Sequence, residues 1–161
     1  MTTIRHLAVA GIMMLALSGQ VLAAGSSSTS DSTSTYSSDA TTQAFRDGQS
    51  AVDAGNWGLA IGYFETAVSL DPGSADAFNM LAYSQRQSGD LESAFVNYRQ
   101  ALTIDPDHKE AHEYLGEAYL QAGDLAAAQE QLEALDDICW LGCDALTELR
   151  EAIETWQADN S

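Results

Sequence analysis

The chain's only two prolines, Pro72 and Pro106, stand 34 residues apart, and Gly55, Gly89 and Gly123 recur at the same interval. Each glycine opens a similar tripeptide: Gly55-Asn56-Trp57, Gly89-Asp90-Leu91 and Gly123-Asp124-Leu125. Unrelated markers agreeing on one period identify a repeat architecture, in which each unit cannot bury its apolar face alone and stacks on its neighbours. Glycine suits the left-handed residue that ends one helix, and Asn or Asp caps the next. The unit is therefore a helical hairpin, and no strand is expected.

The side-chain pattern fits that unit. Small residues recur at Gly48, Ala82 and Gly116, and again at Ala60, Ala94 and Ala128, where two antiparallel helices must approach closely. Phe64, Tyr98 and Leu132, with Ala67, Ala101 and Leu135 three residues on, give each second helix an apolar face. The spacing predicts helices over 40–53, 57–69, 74–88, 91–103, 108–122 and 125–137. A stack needs its last face covered. Within 144–157, Leu146, Leu149, Ile153 and Trp156 recur at helical spacing among Asp144, Glu148, Glu151 and Glu154, which reads as a capping helix with one wet face. Trp140 stands where a third proline would fall, so the period stops there.

These motifs resemble the tetratricopeptide repeat, W-x2-L-G-x2-Y followed by A-x3-F and P. The third copy carries Leu115-Gly116-x2-Tyr119 and Ala128-x3-Leu132, with His112 at the tryptophan position. The second carries Phe78, Leu81, Ala82, Ala94-x3-Tyr98 and Pro106, and the first keeps Gly48, Ala60-x3-Phe64 and Pro72. Asp47 departs from the family's leucine, and Ala51 and Gln85 from its tyrosine. The resemblance implies an all-α fold: three antiparallel helix-hairpin repeats (41–74, 75–108 and 109–140) in a right-handed solenoid, then a capping helix within 141–157. It also implies that a peptide segment binds along an inner groove lined by the first helix of each pair. The family's ligand positions fall on Phe45, Gln49 and Asp53, then Asn79, Tyr83, Arg86 and Gln87, then Glu110, Glu113, Glu117 and Gln121. The basic clamp that chaperone-tail binders use is missing, with only Asn79 comparable.

Charge narrows the partners. Six Lys and Arg against 24 Asp and Glu give a formal −18, which repels nucleic acid. Glu110, Glu113 and Glu117 lie at i, i+3 and i+7, one acidic stripe along a helix. A basic partner is complementary to it; the alternative is a solvated face that serves solubility. Phe45 and Tyr83 are either anchors for a partner or internal packing.

Residues 1–24 have Arg5 and His6, an apolar stretch from Leu7 to Leu17 and small residues to Ala24, the pattern of a secretory signal peptide. The stretch is too short for a lasting span, and no cysteine at the cleavage point could take a lipid. Residues 25–38, rich in Ser and Thr, read as a disordered linker. The expectation is an exported protein of a bacterial periplasm. In that oxidising setting Cys139 and Cys143 are expected to form a disulfide that fixes the cap's angle. The competing reading is a thiol-redox or metal-handling protein using those cysteines, with His108 and His112 as further ligands. No nucleophile elbow, phosphate loop or enclosed acid–base pair is present, so neither an enzyme nor a cofactor or metal is expected. The sequence thus points to a non-catalytic scaffold that binds a protein segment in the assembly or regulation of an envelope complex, with self-association a further outcome to test.

Overall fold

The computed structural model describes residues 31–161, with side chains from Asp39 onward. The expected signal peptide (1–24) and residues 25–30 of the expected linker lie outside the described residues. Seven helices follow in order: α1 (Asp31–Asp53), α2 (Trp57–Leu70), α3 (Ala75–Ser88), α4 (Leu91–Ile104), α5 (Lys109–Gln121), α6 (Leu125–Ile138) and α7 (Asp144–Asp159). Among the described residues there is no strand, and no helix is long and apolar enough to cross a membrane. Three antiparallel pairs, α1/α2, α3/α4 and α5/α6, stack through α2–α3 and α4–α5 contacts, and α7 packs on both α5 and α6.

One boundary differs clearly from the sequence reading: α1 begins at Asp31, so 31–38 belong to a helix rather than to a linker. A helix anchored by packed residues, here Ala44, Gly48 and Ala51, has already overcome its nucleation cost. Each residue added ahead of them gains a hydrogen bond cheaply, even where composition favours disorder.

The turns repeat because their chemistry repeats. Gly55, Gly89 and Gly123 have φ of 67°, 92° and 81°. In each turn the glycine N–H reaches back three residues and the next N–H five, as in Gly89 to Arg86 at 3.0 Å and Asp90 to Gln85 at 2.9 Å. The side chains of Asn56, Asp90 and Asp124 then accept from the backbone N–H three residues on and cap α2, α4 and α6. In the turns between pairs, Asp71 and Asp105 accept from the N–H groups of Gly73 and Asp107 across the prolines, at 3.0 and 3.1 Å.

Packing follows the predicted faces. Ala60, Phe64, Ala67, Ala94, Tyr98, Ala101, Ala128 and Leu135 are fully buried. Leu132 is only half-buried at the edge of the cluster in which Leu135 is fully buried with Leu120, Leu146, Leu149 and Ile153. A Cβ on Gly48 would sit 2.7 Å from the Phe64 ring, so glycine admits the phenyl group there. Cys139 ends α6 and Cys143 precedes α7; a disulfide joins them with their Cα atoms 5.7 Å apart, fastening the cap to the last repeat. Between them Trp140 and Leu141 are 81% and 80% exposed.

Candidate binding groove

The first helices α1, α3 and α5, continued by α7, line one face of the stack, and two wells open on it. The well nearer the N-terminus has a volume of about 320 Å³ and is formed by Phe45 and Gln49 of α1, Asn79 of α3, and Glu110 and Tyr114 of α5 with His108 before it. Asn79 is only 3% exposed, and among the described residues its Oδ1 has no hydrogen-bond partner. The second well, about 650 Å³, lies between α3, α5 and α7, with Leu120, Ala152 and Trp156 as apolar lining and Glu117, Glu148 and Glu151 as acids.

An aromatic and ionic cluster separates the wells. Arg86 pairs with Glu117 at 2.7 Å, joining α3 to α5. Its guanidinium lies 5.4 Å from the Tyr83 ring centroid and 5.9 Å from that of Tyr114, within cation–π range. Tyr83 and Tyr114 have centroids 5.1 Å apart, and Trp57 meets Tyr83 edge-on at 6.0 Å. Burial, then the negative charges of Glu113, Glu117 and Glu110, push the Tyr114 hydroxyl up to about 12.

Glu113 breaks the acidic stripe. It is 4% exposed, on the side of α5 that α7 covers. Burial first, then the nearby Glu148 carboxyl of α7, then Glu117 and Glu110, raise Glu113 to about 8. The stripe is therefore not one solvated face: Glu110 is exposed, Glu117 is paired and Glu113 is buried. A register of i, i+3 and i+7 shows which residues share a side of α5, but not that α7 docks over one of them.

Of the other predicted positions, Phe45 lines the first well and packs edge-on against Phe64 with centroids 5.5 Å apart. Gln49 is exposed in the first well and Gln121 in the second. Asp53 and Gln87 are exposed and line neither well. Glu148, Glu151 and Trp156 were legible only as parts of a cap, yet they wall the second well. Leu81, Leu115 and Leu149 continue the 34-residue spacing into α7, a signal that this helix occupies the place of a fourth first helix.

Both histidines have structural partners. His108 caps α5, its Nδ1 accepting from the Ala111 N–H at 3.2 Å, and its Nε2 lies 3.0 Å from Asp76 Oδ1. His112 places Nε2 2.9 Å from the Pro106 carbonyl oxygen and Nδ1 2.9 Å from Gln131 Oε1. Among the described residues, no group of His, Cys, Asp and Glu is arranged to hold a metal ion.

Models of the tetratricopeptide repeat match the sequence over residues 45–106 and 85–138, together more than half of the chain. The chain is a tetratricopeptide repeat protein. None of the curated proteins matches this tetratricopeptide repeat protein significantly. Among solved structures it is similar to the TPR2B domain of yeast Sti1 in a complex with an Hsp70 peptide: TM-score 0.69, 17% identity, covering 74% of this chain and 98% of that one. It is also similar to the Yersinia enterocolitica type III secretion chaperone SycD in complex with a peptide of the translocator YopD: TM-score 0.68, 18% identity, covering 76% and 96%. A third similar structure is the Sgt2 TPR domain from Aspergillus fumigatus: TM-score 0.66, 23% identity, covering 74% and 78%. At these identities the likeness establishes a shared fold.

Proposed function

We propose that this tetratricopeptide repeat protein is a non-catalytic scaffold that holds an extended segment of a partner protein along the groove of α1, α3, α5 and α7. The observation that carries the reading is Asn79, a buried side chain whose carbonyl oxygen lacks a partner among the described residues and which lines a well on that face. Leaving such an acceptor unpaired costs about 1–3 kcal/mol. A peptide N–H laid along the groove would satisfy it. Solved structures of the same fold include complexes with segments of other proteins, which supports the same use here.

The signal-like residues 1–24 support export, and a bacterial periplasm, with a role in assembling or regulating an envelope complex, is the setting we propose. A photo-crosslinking amino acid at Gln49 or Gln121, both exposed in the wells, tests the binding face against the same label at Glu65 on α2. In envelope extracts a discrete partner is expected from the two groove positions and not from Glu65. Equal capture from all three, or from none, overturns the groove. Intact mass of the protein recovered from the periplasm tests export, with loss of the signal segment expected.

A further inference from the structure

We propose that the outward face of α2 is a contact between two copies of this chain, packed helix on helix across a two-fold axis. Because α2 lines neither well, a pair joined there leaves the groove open, and the contact stands apart from the groove reading.

The inner side of α2 is committed to the stack through Ala60, Phe64 and Ala67. On the other side Leu59, Tyr63 and Leu70, one and then two turns apart, are 54%, 38% and 39% exposed, an apolar ridge that nothing in the chain covers. Along it the exposed Thr66 turns its hydroxyl back to donate to the Gly62 carbonyl oxygen at 2.9 Å, so covering the ridge strands no polar group there. The other second helices lack this ridge. One period on, Ser93 and Asn97 of α4 stand in place of Leu59 and Tyr63, and in α6 Ala127 and Gln131 do.

Beside the ridge lie Gly58 and Gly62, one turn apart. Glycine is the poorest helix former after proline, yet the monomer gives no reason for either. Neither has a positive φ, and a Cβ on each would meet nothing within 4 Å. Nor does the repeat require them, since the same positions hold Glu92 and Val96 in α4 and Ala126 and Glu130 in α6. What bare backbone does provide is a notch that lets a facing helix come close. A ridge and a notch side by side are self-complementary: under a two-fold operation the ridge of each copy meets the notch of the other.

Charge selects a second copy as the occupant. At a formal −18 the chain repels its own copies over most of its surface. Glu65 is the one charged residue of α2, whereas α6, of equal length, carries Glu130, Glu133, Asp136 and Asp137. Contact through α2 therefore brings a single carboxylate from each copy, and a basic partner finds little on this face to hold it.

Sedimentation of the purified protein is expected to show a monomer–dimer equilibrium at micromolar concentrations. Gly58→Gln/Gly62→Gln fills the notch with side chains that nothing in the monomer obstructs. It should weaken the dimer at least tenfold, with a thermal midpoint unchanged or higher where both proteins are monomeric. Leu59→Ser/Tyr63→Ser should weaken the dimer as much. Val96→Gln, at the Gly62 register of α4 and 61% exposed in the wild type, should leave it unchanged. A photo-crosslinking residue at Glu65 should join two chains in the purified protein, the bond landing in α2 of the second copy.

A monomer at every concentration overturns the proposal. So does a dimer that keeps its strength in Gly58→Gln/Gly62→Gln, or one that is lost instead in Trp140→Ser/Leu141→Ser. A Glu65 label that captures another protein from the extract, and no second copy, overturns it as well. The mass of the dimer distinguishes it from a groove capture. If Gln49 and Gln121 trap nothing while α2 still pairs, the groove reading falls alone; if they trap a partner while the chain stays monomeric, the α2 contact falls alone.

Discussion

Gly116 of α5 and Leu149 of α7 meet so closely that a Cβ at position 116 would stand 2.6 Å from both Leu149 methyl carbons. Leu149 is fully buried, in the cluster with Leu120, Leu135, Leu146 and Ile153. Gly116→Val is therefore expected to cost about 1–3 kcal/mol through overpacking. Leu149→Ala alone is expected to cost about 2–5 kcal/mol. Combined, they should cost less than their sum, because the truncation makes room for the added methyl groups. Chemical denaturation of the four proteins checks this; strict additivity would show that the two positions do not govern the seam.

Glu113 gives stability a definite pH dependence. Its folded-state value is raised from 4.5 to about 8, so between those limits the folded protein holds more proton than the unfolded chain. Stability contributed at this site falls as pH climbs through that window and levels off above it. Glu113→Gln is neutral at every pH and should flatten this fall, gaining relative to wild type at pH 8 more than at pH 5. Urea midpoints at the two values decide the matter.

The Cys139–Cys143 bond closes a ring of only a few residues. By loop entropy its removal in Cys139→Ala/Cys143→Ala costs about 2 kcal/mol. Hydrogen exchange should show where: faster in α7 and the end of α6, unchanged in α2 to α4. Uniform acceleration across the stack would mean that the bond supports the whole fold.

Asn79→Leu separates stability from binding. Removing an acceptor that lacks a partner should leave the thermal midpoint unchanged or raise it. Crosslinking of a partner at Gln49, on the opposite side of the same well, should fall at least tenfold. A destabilised variant with undiminished capture would assign Asn79 to structure alone.

Much of the fold was legible because its determinants are local. A left-handed glycine, an Asn or Asp cap and a proline turn each act within a few residues, and their recurrence marks the hairpins without knowledge of the tertiary contacts. What the pattern could not convey depends on docking. The burial of Glu113 and the approach of Leu149 to Gly116 depend on α7 packing on α5, and the commitment of Arg86 to Glu117 on how α3 leans on α5. The start of α1 was missed for a related reason: Ser- and Thr-rich composition speaks against order, whereas helix propagation depends on the packed residues downstream. His112 shows the same limit, since no spacing rule reveals that its ring bridges Pro106 and Gln131.

Both wells carry carboxylates, Asp76 and Glu110 in one and Glu117, Glu148 and Glu151 in the other, but the first adds the Asn79 amide and the second the Trp156 indole. Set in sequence along the same face, they give it polarity, with a head and a tail that cannot be interchanged. A segment held there as proposed would meet the Asn79 amide at one end and the Trp156 indole at the other, so its direction would be a measurable property of the complex.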